Sequence, residues 1–260
     1  MDKRILFIAG THGDEPIGST LLKKLSNQGD VAALYESVIG NPRALAQNKR
    51  FIEADLNRAA PGDATSPVYE VARASELVEL FKRFDYVVDF HETKANDHLV
   101  IIIPRLSRES LALALSFDID KVLIWPPSSS LITTGPLVQC TPFGIEIECG
   151  TKSSFESTLR SIEEVTIKFL KNGVFDVDDN LSPQPTRMEQ KKFYLVYGRI
   201  EPREIEGVDL QDFGMVDTGR EKFIALLFGK HKGLTGYKMR ALDSQKVSDM
   251  IASSATLSQT

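Results

Sequence analysis

Residues that could bind a metal ion follow two apolar segments of the sequence. The segment GTHGDE, which contains His12 and Glu15, comes directly after one apolar run, and His91 comes directly after another. Ligand sites in open α/β sheets lie beyond the carboxyl ends of strands, where the loops diverge. A helix cap followed by a surface histidine would give the first pattern, and a histidine satisfied at a strand end would give the second. Two strand ends that together offer His, Glu and His favour a catalytic zinc site, which typically has three protein ligands and an open position for water.

Carboxylates near these candidates could support metal chemistry. Asp89 precedes His91 by two residues and therefore points to the same side of the strand, where it could orient the imidazole. In FGIEIECG, Glu146 and Glu148 alternate with isoleucines, so both point to one face of a strand. A half-exposed edge strand explains that alternation equally well. The functional interpretation makes Glu148, nearest the end of the strand, a general base for a metal-activated water.

A further segment, NPRA followed by RFIEADLNR, is rich in arginine and asparagine. Solvated surface is the ordinary explanation for such a charged run. However, arginine presents a rigid fork suited to carboxylates and oxyanions. The residues in this segment that could contact a substrate or support a metal site are Asn41, Arg43, Arg50, Asp55, Asn57 and Arg58.

The elements that must position these side chains alternate along the first two thirds of the chain. Short runs rich in branched and aromatic residues predict strands: Ile5 to Ala9, Tyr86 to Phe90, Leu99 to Ile103, Val122 to Trp125 and Phe143 to Ile147. Apolar residues at helical spacing predict helices: Ile17 to Leu25, Val68 to Phe84 and Phe155 to Leu170. This alternation predicts an α/β fold, with a mixed, mostly parallel sheet and helices on both faces.

The composition changes near residue 176, which predicts a division of the chain. We expect a catalytic domain over residues 1–175, a linker or crossover over 176–190, and a small β-rich appendage over 191–250. The predicted strands of the appendage are Phe193 to Ile200 and Phe223 to Phe228, and no long helix is expected there. Residues 251–260 are mostly small and polar, which predicts a frayed tail.

Composition and charge exclude several classes of function. The 260 residues include 31 basic and 36 acidic ones, and the net charge of −5 gives no electrostatic surface for nucleic acid or an anionic membrane. Every apolar run is far shorter than the ~20 residues that span a bilayer, and the first lacks a signal-peptide cleavage pattern. The two cysteines, Cys140 and Cys149, cannot form a disulfide scaffold. We therefore expect a cytoplasmic globular protein.

The order of the motifs GTHGDE, GNPRA, RFIEADLNR, DFH and IECG is similar to that of the aspartoacylase and succinylglutamate desuccinylase family, within the zinc-carboxypeptidase superfamily. The similarity extends over most of the segment from Ile5 to Gly150. It implies a zinc-carboxypeptidase-like fold and one zinc ion per chain. It also implies that His12, Glu15 and His91 bind the zinc, with Asp55 and Asp89 as their supports.

The same resemblance implies roles in catalysis and substrate binding. Glu148 would be the general base, and Arg50 would polarise the scissile carbonyl and stabilise the oxyanion. Asn57 and Arg58 would hold a substrate carboxylate. Tyr237 could match a substrate-binding tyrosine of the family, although a packing role explains it as well.

Two residues depart from the aspartoacylase pattern. Val138 stands ten residues before Glu148, where aspartoacylase has an arginine that holds the aspartyl side chain. Glu92 follows His91, where aspartoacylase has an amide. If Glu92 faces the pocket, its negative charge would disfavour a dianionic substrate. We therefore expect N-acetylaspartate to be a poor substrate.

The hypothesis favoured by these residues is a zinc-dependent amidohydrolase that acts on an N-acyl amino acid or a similar small amide. The nearest alternative keeps the same machinery but cleaves a peptide C-terminus, as a carboxypeptidase does. A non-catalytic zinc-binding protein is a third alternative, but it would have no need of a base at Glu148. His98 and His231 receive no role and are interpreted as structural or surface residues.

Overall fold

One sheet with helices around it contains the predicted elements. The computed structural model describes residues 3–126, 135–175, 185–206, 208, 210–227 and 236–257. The strands in these ranges are β1 (Ile5–Ala9), β2 (Glu36–Ile39), β3 (Tyr86–Thr93), β4 (Leu99–Ile103), β5 (Lys121–Ile124), β6 (Phe143–Gly150), β7 (Lys192–Arg199), β8 (Met215–Asp217), β9 (Lys222–Leu226) and β10 (Tyr237–Leu242). The helices are α1 (Pro16–Ser26), α2 (Gly29–Ala32), α3 (Pro42–Ala46), α4 (Tyr69–Phe81), α5 (Arg108–Ser116), α6 (Phe155–Asn172), α7 (Pro185–Glu189) and α8 (Ser244–Leu257).

The strand order is β2-β1-β3-β6-β4-β5-β7-β10-β9-β8. Strand β1 pairs in parallel with β2 and β3, and β3 pairs in parallel with β6. Strand β4 runs antiparallel to β6, whereas β5 is parallel to both β4 and β7. The remaining pairs, from β7 through β10 and β9 to β8, are antiparallel. The predicted mixed, mostly parallel sheet with a β-rich C-terminal part is therefore confirmed.

Helices pack on both faces of this sheet, as predicted. On one face, α1, α5 and α6 pack in one large apolar cluster with β1 and β3. On the other face, α4 packs through Leu77 and Phe81 against Leu6, Ile8 and Val87. Both faces of β1 are thus buried, which explains why its sequence is an unbroken apolar run.

The C-terminal strands β9 and β10 pack against β4, next to Glu148, which is the register partner of Val100. Val100 and Ile102 of β4 share an apolar cluster with Leu226 of β9 and Met239 of β10. These strands continue the main sheet, because β7 hydrogen-bonds to β5. The C-terminal region therefore joins the same sheet through its backbone and also covers part of one face.

The structure differs from the sequence-based expectation near the C-terminus. Residues 251–257, expected to fray, complete α8, and the expected absence of a long helix beyond residue 176 is therefore wrong. Val247 and Ile251 lie one turn apart and are both buried against the main core, whereas the small residues around them hide this period in the sequence. Within the predicted linker over 176–190, residues 185–189 form α7. Residues 176–184 of the linker, Phe228, His231 and residues 258–260 lie outside the described residues.

Strand β3 is longer than its predicted range of Tyr86 to Phe90, so His91 lies within the strand rather than after it. Strand β2 and helix α5 were not expected from the sequence. Among the helices that the structure describes, none is long and apolar enough to cross a bilayer.

Candidate active site

Three predicted metal ligands converge beside the carboxyl end of β1. His12 lies in the turn after β1, Glu15 immediately precedes α1, and His91 lies one residue beyond the last register pair of β1 with β3. One ligand atom from each of the three lies within 4.8 Å of the other two, and all three residues are buried. The turn is tight because Gly13 packs on α3, where a Cβ atom would lie 2.1 Å from the Ala44 carbonyl carbon. Glycine at this position lets the turn approach α3 closely.

Two aspartates fix the orientation of the two imidazoles. His12 Nε2 lies 3.0 Å from Asp55 Oδ1, and His91 Nε2 lies 3.1 Å from Asp89 Oδ2. An ionised carboxylate only accepts hydrogen bonds, so each Nε2 carries a proton and donates it. Each Nδ1 consequently faces Glu15, at 2.9 Å from Oε1 for His12 and 3.0 Å from Oε2 for His91.

This arrangement fits a metal ion. His12 Nδ1 is buried and has no hydrogen-bond partner among the described residues, because its contact with Glu15 lacks hydrogen-bond geometry. Histidines that bind metals usually donate their other ring N–H to a carboxylate, as both do here. Two imidazole nitrogens and a carboxylate form a donor set that zinc uses in catalytic sites. The three residues could therefore hold a zinc ion through atoms that already face one another.

Electrostatics within this group favour a cation at its centre. Burial by itself would lower the pKa of His91, but the carboxylates of Asp89, Glu146 and Glu15 outweigh it and raise the pKa well above the usual value. Burial by itself would raise the pKa of Glu15, but His12 and His91 hold it well below its usual range. Without a metal, Glu15 therefore favours its ionised form and His91 its protonated form. A metal ion bound by these residues would displace the protons from the nitrogen atoms that bind it.

The two glutamates of β6 occupy different environments on the same face of the sheet. Glu148 is the register partner of His91 and is half-buried, and burial raises the pKa of its carboxyl to about 7. Glu146 is buried, accepts from Asn57 Nδ2 over 2.8 Å and lies 3.3 Å from His91 Nε2. Glu148 therefore remains accessible to a small molecule, whereas Glu146 is held within the protein.

The arginines expected to contact substrate lie at the edge of this group. Arg50 Nη1 donates to Glu15 Oε1 over 2.9 Å, and 28% of the Arg50 side chain is exposed. Arg58 is exposed and donates to the Asn57 carbonyl. Both guanidinium groups also influence Asp55. Burial would raise the pKa of Asp55, but its bond to His12 and the two arginine charges hold the pKa far below the usual range.

Asn57 has a different environment from the one implied for a substrate ligand. Its Oδ1 accepts from the Leu137 amide over 2.7 Å, and its Nδ2 donates to Glu146. The side chain is buried, with 5% of the residue exposed. Both ends of the carboxamide thus bind groups of the protein.

The side chains of three other residues singled out from the sequence contact groups other than the three metal-binding residues. The Glu92 carboxylate accepts from Ile17 N at the start of α1 and from the Thr151 hydroxyl, so its charge serves the helix terminus rather than an open pocket. Val138 is buried in the apolar cluster beneath α4. The Tyr237 ring packs on Trp125, with ring centres 4.6 Å apart.

Comparisons with known proteins agree with this arrangement. Residues 1–173 match the sequence model of the succinylglutamate desuccinylase/aspartoacylase catalytic domain. The chain belongs to this family.

Similar proteins in the succinylglutamate desuccinylase/aspartoacylase family include two from Prochlorococcus marinus, each described as a probable aspartoacylase. The protein from subsp. pastoris strain MED4 is 32% identical over 158 residues, which span 57% of this chain and 54% of that protein. This match thus spans about half the length of that relative. The protein from strain MIT 9215 is 27% identical over 245 residues, 85% of this chain and 81% of that protein. Family membership assigns the chain to a group of amidohydrolases.

Solved structures share the fold. Murine aminoacylase 3 superposes with a TM-score of 0.68 at 17% identity, covering 93% of this chain and 96% of that one. The succinylglutamate desuccinylase from Chromobacterium violaceum gives a TM-score of 0.62 at 19% identity, covering 93% and 85%.

One buried carboxylate beside the candidate active site was not predicted from the sequence. Glu70 of α4 is fully buried and binds the backbone of the loop between Arg50 and Asp55. Its sequence position, acidic in the first turn of a helix, is also common at exposed helix N-termini. No local signal therefore distinguishes Glu70 from a surface residue.

Proposed function

We propose that the chain is a zinc-dependent amidohydrolase that cleaves the amide bond of a small N-acyl amino acid. The observation that carries this proposal is the orientation of the imidazoles of His12 and His91. Asp55 and Asp89 bind their Nε2 atoms, so both Nδ1 atoms face Glu15. Membership of an amidohydrolase family supports the reaction class.

In the proposed reaction, the zinc ion would act as a Lewis acid and Glu148 would transfer the protons. His12, Glu15 and His91 would hold zinc, which when bound supplies a Lewis acid that polarises the scissile carbonyl and lowers the pKa of a water molecule. The Glu148 carboxylate would accept a proton from the water molecule whose oxygen attacks the carbonyl carbon. Glu148 then gives the proton to the leaving amine nitrogen. Burial raises the pKa of Glu148 to about 7 in the metal-free protein, and a cation bound nearby would favour the ionised form that can accept a proton.

The two arginines act at different stages. Arg50 lies beside Glu15 with part of its guanidinium exposed, where it would donate hydrogen bonds to the oxygen that becomes negative as the carbonyl is attacked. Arg58 is exposed on the same loop and would hold the carboxylate of the amino acid in a bidentate contact.

The proposed substrates carry one carboxylate on the amino-acid part. Val138, at the position of an arginine in aspartoacylase, is buried among apolar side chains and offers no charge to a second carboxylate. The Glu92 carboxylate is bound to α1 and Thr151, so Val138 alone carries this specificity argument.

A hydrolysis screen tests the proposal. The zinc-loaded protein is incubated with N-acetylaspartate, with N-acyl derivatives of neutral monocarboxylic amino acids, and with short peptides, while elemental analysis counts the metal. We expect about one zinc per chain and the highest kcat/KM for a monocarboxylic N-acyl amino acid. Turnover of N-acetylaspartate at ~10⁴ M⁻¹s⁻¹ or more would refute the specificity. Preferred release of a C-terminal residue from peptides would indicate a carboxypeptidase, and bound zinc without any hydrolysis would indicate a non-catalytic protein.

A further inference from the structure

We propose that Glu70 is a positioning residue, which holds the loop that carries Arg50 and Asp55 in its working conformation. This inference builds on the proposed function, because it assigns Arg50 and Asp55 to the same site. Glu70 lies in the first turn of α4, is fully buried, and does not belong to the group around Glu15.

The Glu70 carboxylate binds three consecutive backbone amides of the loop. Oε1 accepts from Ile52 N over 2.7 Å, and Oε2 accepts from Glu53 N over 3.1 Å and from Ala54 N over 3.2 Å. A buried anion is stable only if it is well hydrogen-bonded, and these bonds supply that compensation. Burial by itself would raise the pKa of Glu70, but these amide bonds and Asn41 lower it, so the carboxylate stays ionised.

The loop also binds back to α4, so the attachment is reciprocal. Glu53 Oε2 accepts from Tyr69 N, the first residue of α4, over 2.7 Å. Asn41 Nδ2 donates to Glu70 Oε1 over 3.0 Å, while Asn41 Oδ1 accepts from Ala44 N at the start of α3. The beginning of α4 therefore anchors both this loop and the turn that precedes α3.

Both ends of the anchored segment contact metal-binding residues. On its amino side, Arg50 donates to Glu15, and the Arg50 carbonyl accepts from Gly13 N over 3.3 Å. On its carboxyl side, Asp55 binds His12 Nε2. A shift of the amides held by Glu70 would therefore move a hydrogen-bond donor for the oxyanion and the support of one imidazole together. A misplacement of about 1 Å can lower a rate by about 100-fold.

The test compares Glu70→Gln with Thr166→Val. Gln keeps the size of Glu70 but has one acceptor oxygen instead of two, so it cannot bind all three amides. Thr166 is also fully buried and donates to the Ile162 carbonyl within α6, on the opposite face of the sheet, so its loss controls for a change in stability alone. We measure the thermal midpoint, zinc affinity by competition with a chromogenic chelator, and kcat and KM for the substrate found in the screen.

We expect Glu70→Gln to lower kcat by about 10- to 100-fold and zinc affinity by about 10-fold, with KM changed less than threefold. Thr166→Val should lower the thermal midpoint but leave kcat and zinc affinity unchanged. If Glu70→Gln behaves like Thr166→Val, Glu70 is merely structural and the inference is wrong.

A spectroscopic measurement separates this inference from the proposed function. In metal-free protein labelled with ¹⁵N-histidine, the Nε2 signal of His12 reports its bond to Asp55. Glu70→Gln should shift that signal and Thr166→Val should not, whether or not the chain hydrolyses amides. An unchanged His12 signal would overturn the inference.

A second variant covers the case in which Glu70→Gln does not fold. Asn41→Ala removes one of the four bonds to Glu70 together with the cap on α3, and Ser107→Ala removes a comparable cap on α5 as its control. We expect Asn41→Ala to shift the His12 signal and to lower kcat in the same direction but by a smaller factor. Equal results for Asn41→Ala and Ser107→Ala would contradict the role of Glu70.

Discussion

The side chain of Asn57 donates to Glu146 Oε1 over 2.8 Å, and its oxygen accepts from the amide of Leu137 over 2.7 Å. These two bonds connect the arginine-bearing loop to β6 and to the 3₁₀ turn that precedes β6. The same glutamate lies 3.3 Å from His91 Nε2. Asn57 is therefore linked to His91 through Glu146. Its neighbour in the sequence, Arg58, is exposed to solvent.

Removal of the Asn57 carboxamide should destabilise the fold. Asn57→Ala leaves both the Leu137 amide and the Glu146 carboxylate without this partner, and each buried unsatisfied group costs about 1–3 kcal/mol. We expect the free energy of unfolding to fall by about 2 kcal/mol or more in urea denaturation. A stable variant with a raised KM would instead identify Asn57 as the substrate ligand that the family resemblance implies.

Loss of Arg58 should act on substrate binding. Its guanidinium is exposed, so Arg58→Ala should leave the urea midpoint unchanged. A carboxylate held equally in the ground and transition states contributes to KM and little to kcat. We therefore expect KM to rise with kcat within about threefold of the wild type, from initial rates over a range of substrate concentrations. A large drop in kcat at unchanged KM would contradict this role.

Substitution of the two glutamates of β6 should affect different quantities, kcat for Glu148 and zinc affinity for Glu146. Glu148→Gln keeps the shape of the side chain but removes the base, so kcat should fall by roughly 10²–10⁴-fold while zinc is retained. Glu146→Gln removes a charge beside His91 and should weaken zinc binding by up to about 10–100-fold. Steady-state rates and metal titration on both variants check the contrast. If Glu148→Gln keeps a near-normal kcat with zinc bound, Glu146 becomes the candidate base.

Zinc should stabilise the protein through His12, Glu15 and His91. A ligand that binds only the folded state at 1,000 times its Kd adds about 4 kcal/mol. We expect the thermal midpoint of chelator-treated protein to rise on addition of zinc, and to rise much less for His91→Ala. His98→Ala is the matched control, because His98 lies outside the two possible metal-binding groups found among the described residues. An equal response from both variants would place the metal elsewhere.

Asp212 should make stability depend on pH. Burial raises the pKa of its carboxyl from 3.8 to about 6, although the Leu227 amide donates to it. The folded protein thus binds the Asp212 proton more tightly than the unfolded chain, so this contribution to stability is present below about pH 3.8 and is lost as the pH rises to about 6. Asp212→Asn removes this dependence.

From pH 4 to pH 7, the free energy of unfolding of the wild type should fall by on the order of 1 kcal/mol relative to that of Asp212→Asn. This figure allows for solvent screening of a partly exposed group. Urea denaturation at several pH values measures it. A difference that stays constant over this range would contradict the raised pKa.

Much of the site could be predicted because its residues follow buried strands. The strands Ile5–Ala9 and Leu99–Ile103 have the predicted boundaries, since strands covered on both faces leave unbroken apolar runs in the sequence. The position of His12 after β1, and of His91 just beyond the paired part of the neighbouring parallel strand, follows from that pattern, although β3 continues past His91. The structure brings these two histidines to Glu15, as the motif predicts.

The remaining features depend on contacts between distant residues. The direction of Asn57 is set by Glu146 and Leu137, 89 and 80 residues further along the chain, and no local pattern reveals such partners. The burial of Glu70 likewise follows from the path of the loop packed against it. Helix α8 was missed because its buried apolar residues, Val247 and Ile251, are few among small polar ones.

The continuous sheet has a consequence for the edges of the molecule. Strand β7 covers the free side of β5, and β9 and β10 cover Val100 and Ile102 of β4. Without these strands, β5 would offer a row of unpaired amides and carbonyls next to exposed apolar side chains, which is a template for aggregation. The strands beyond the region that matches the family therefore remove from that region an edge that could pair with another chain.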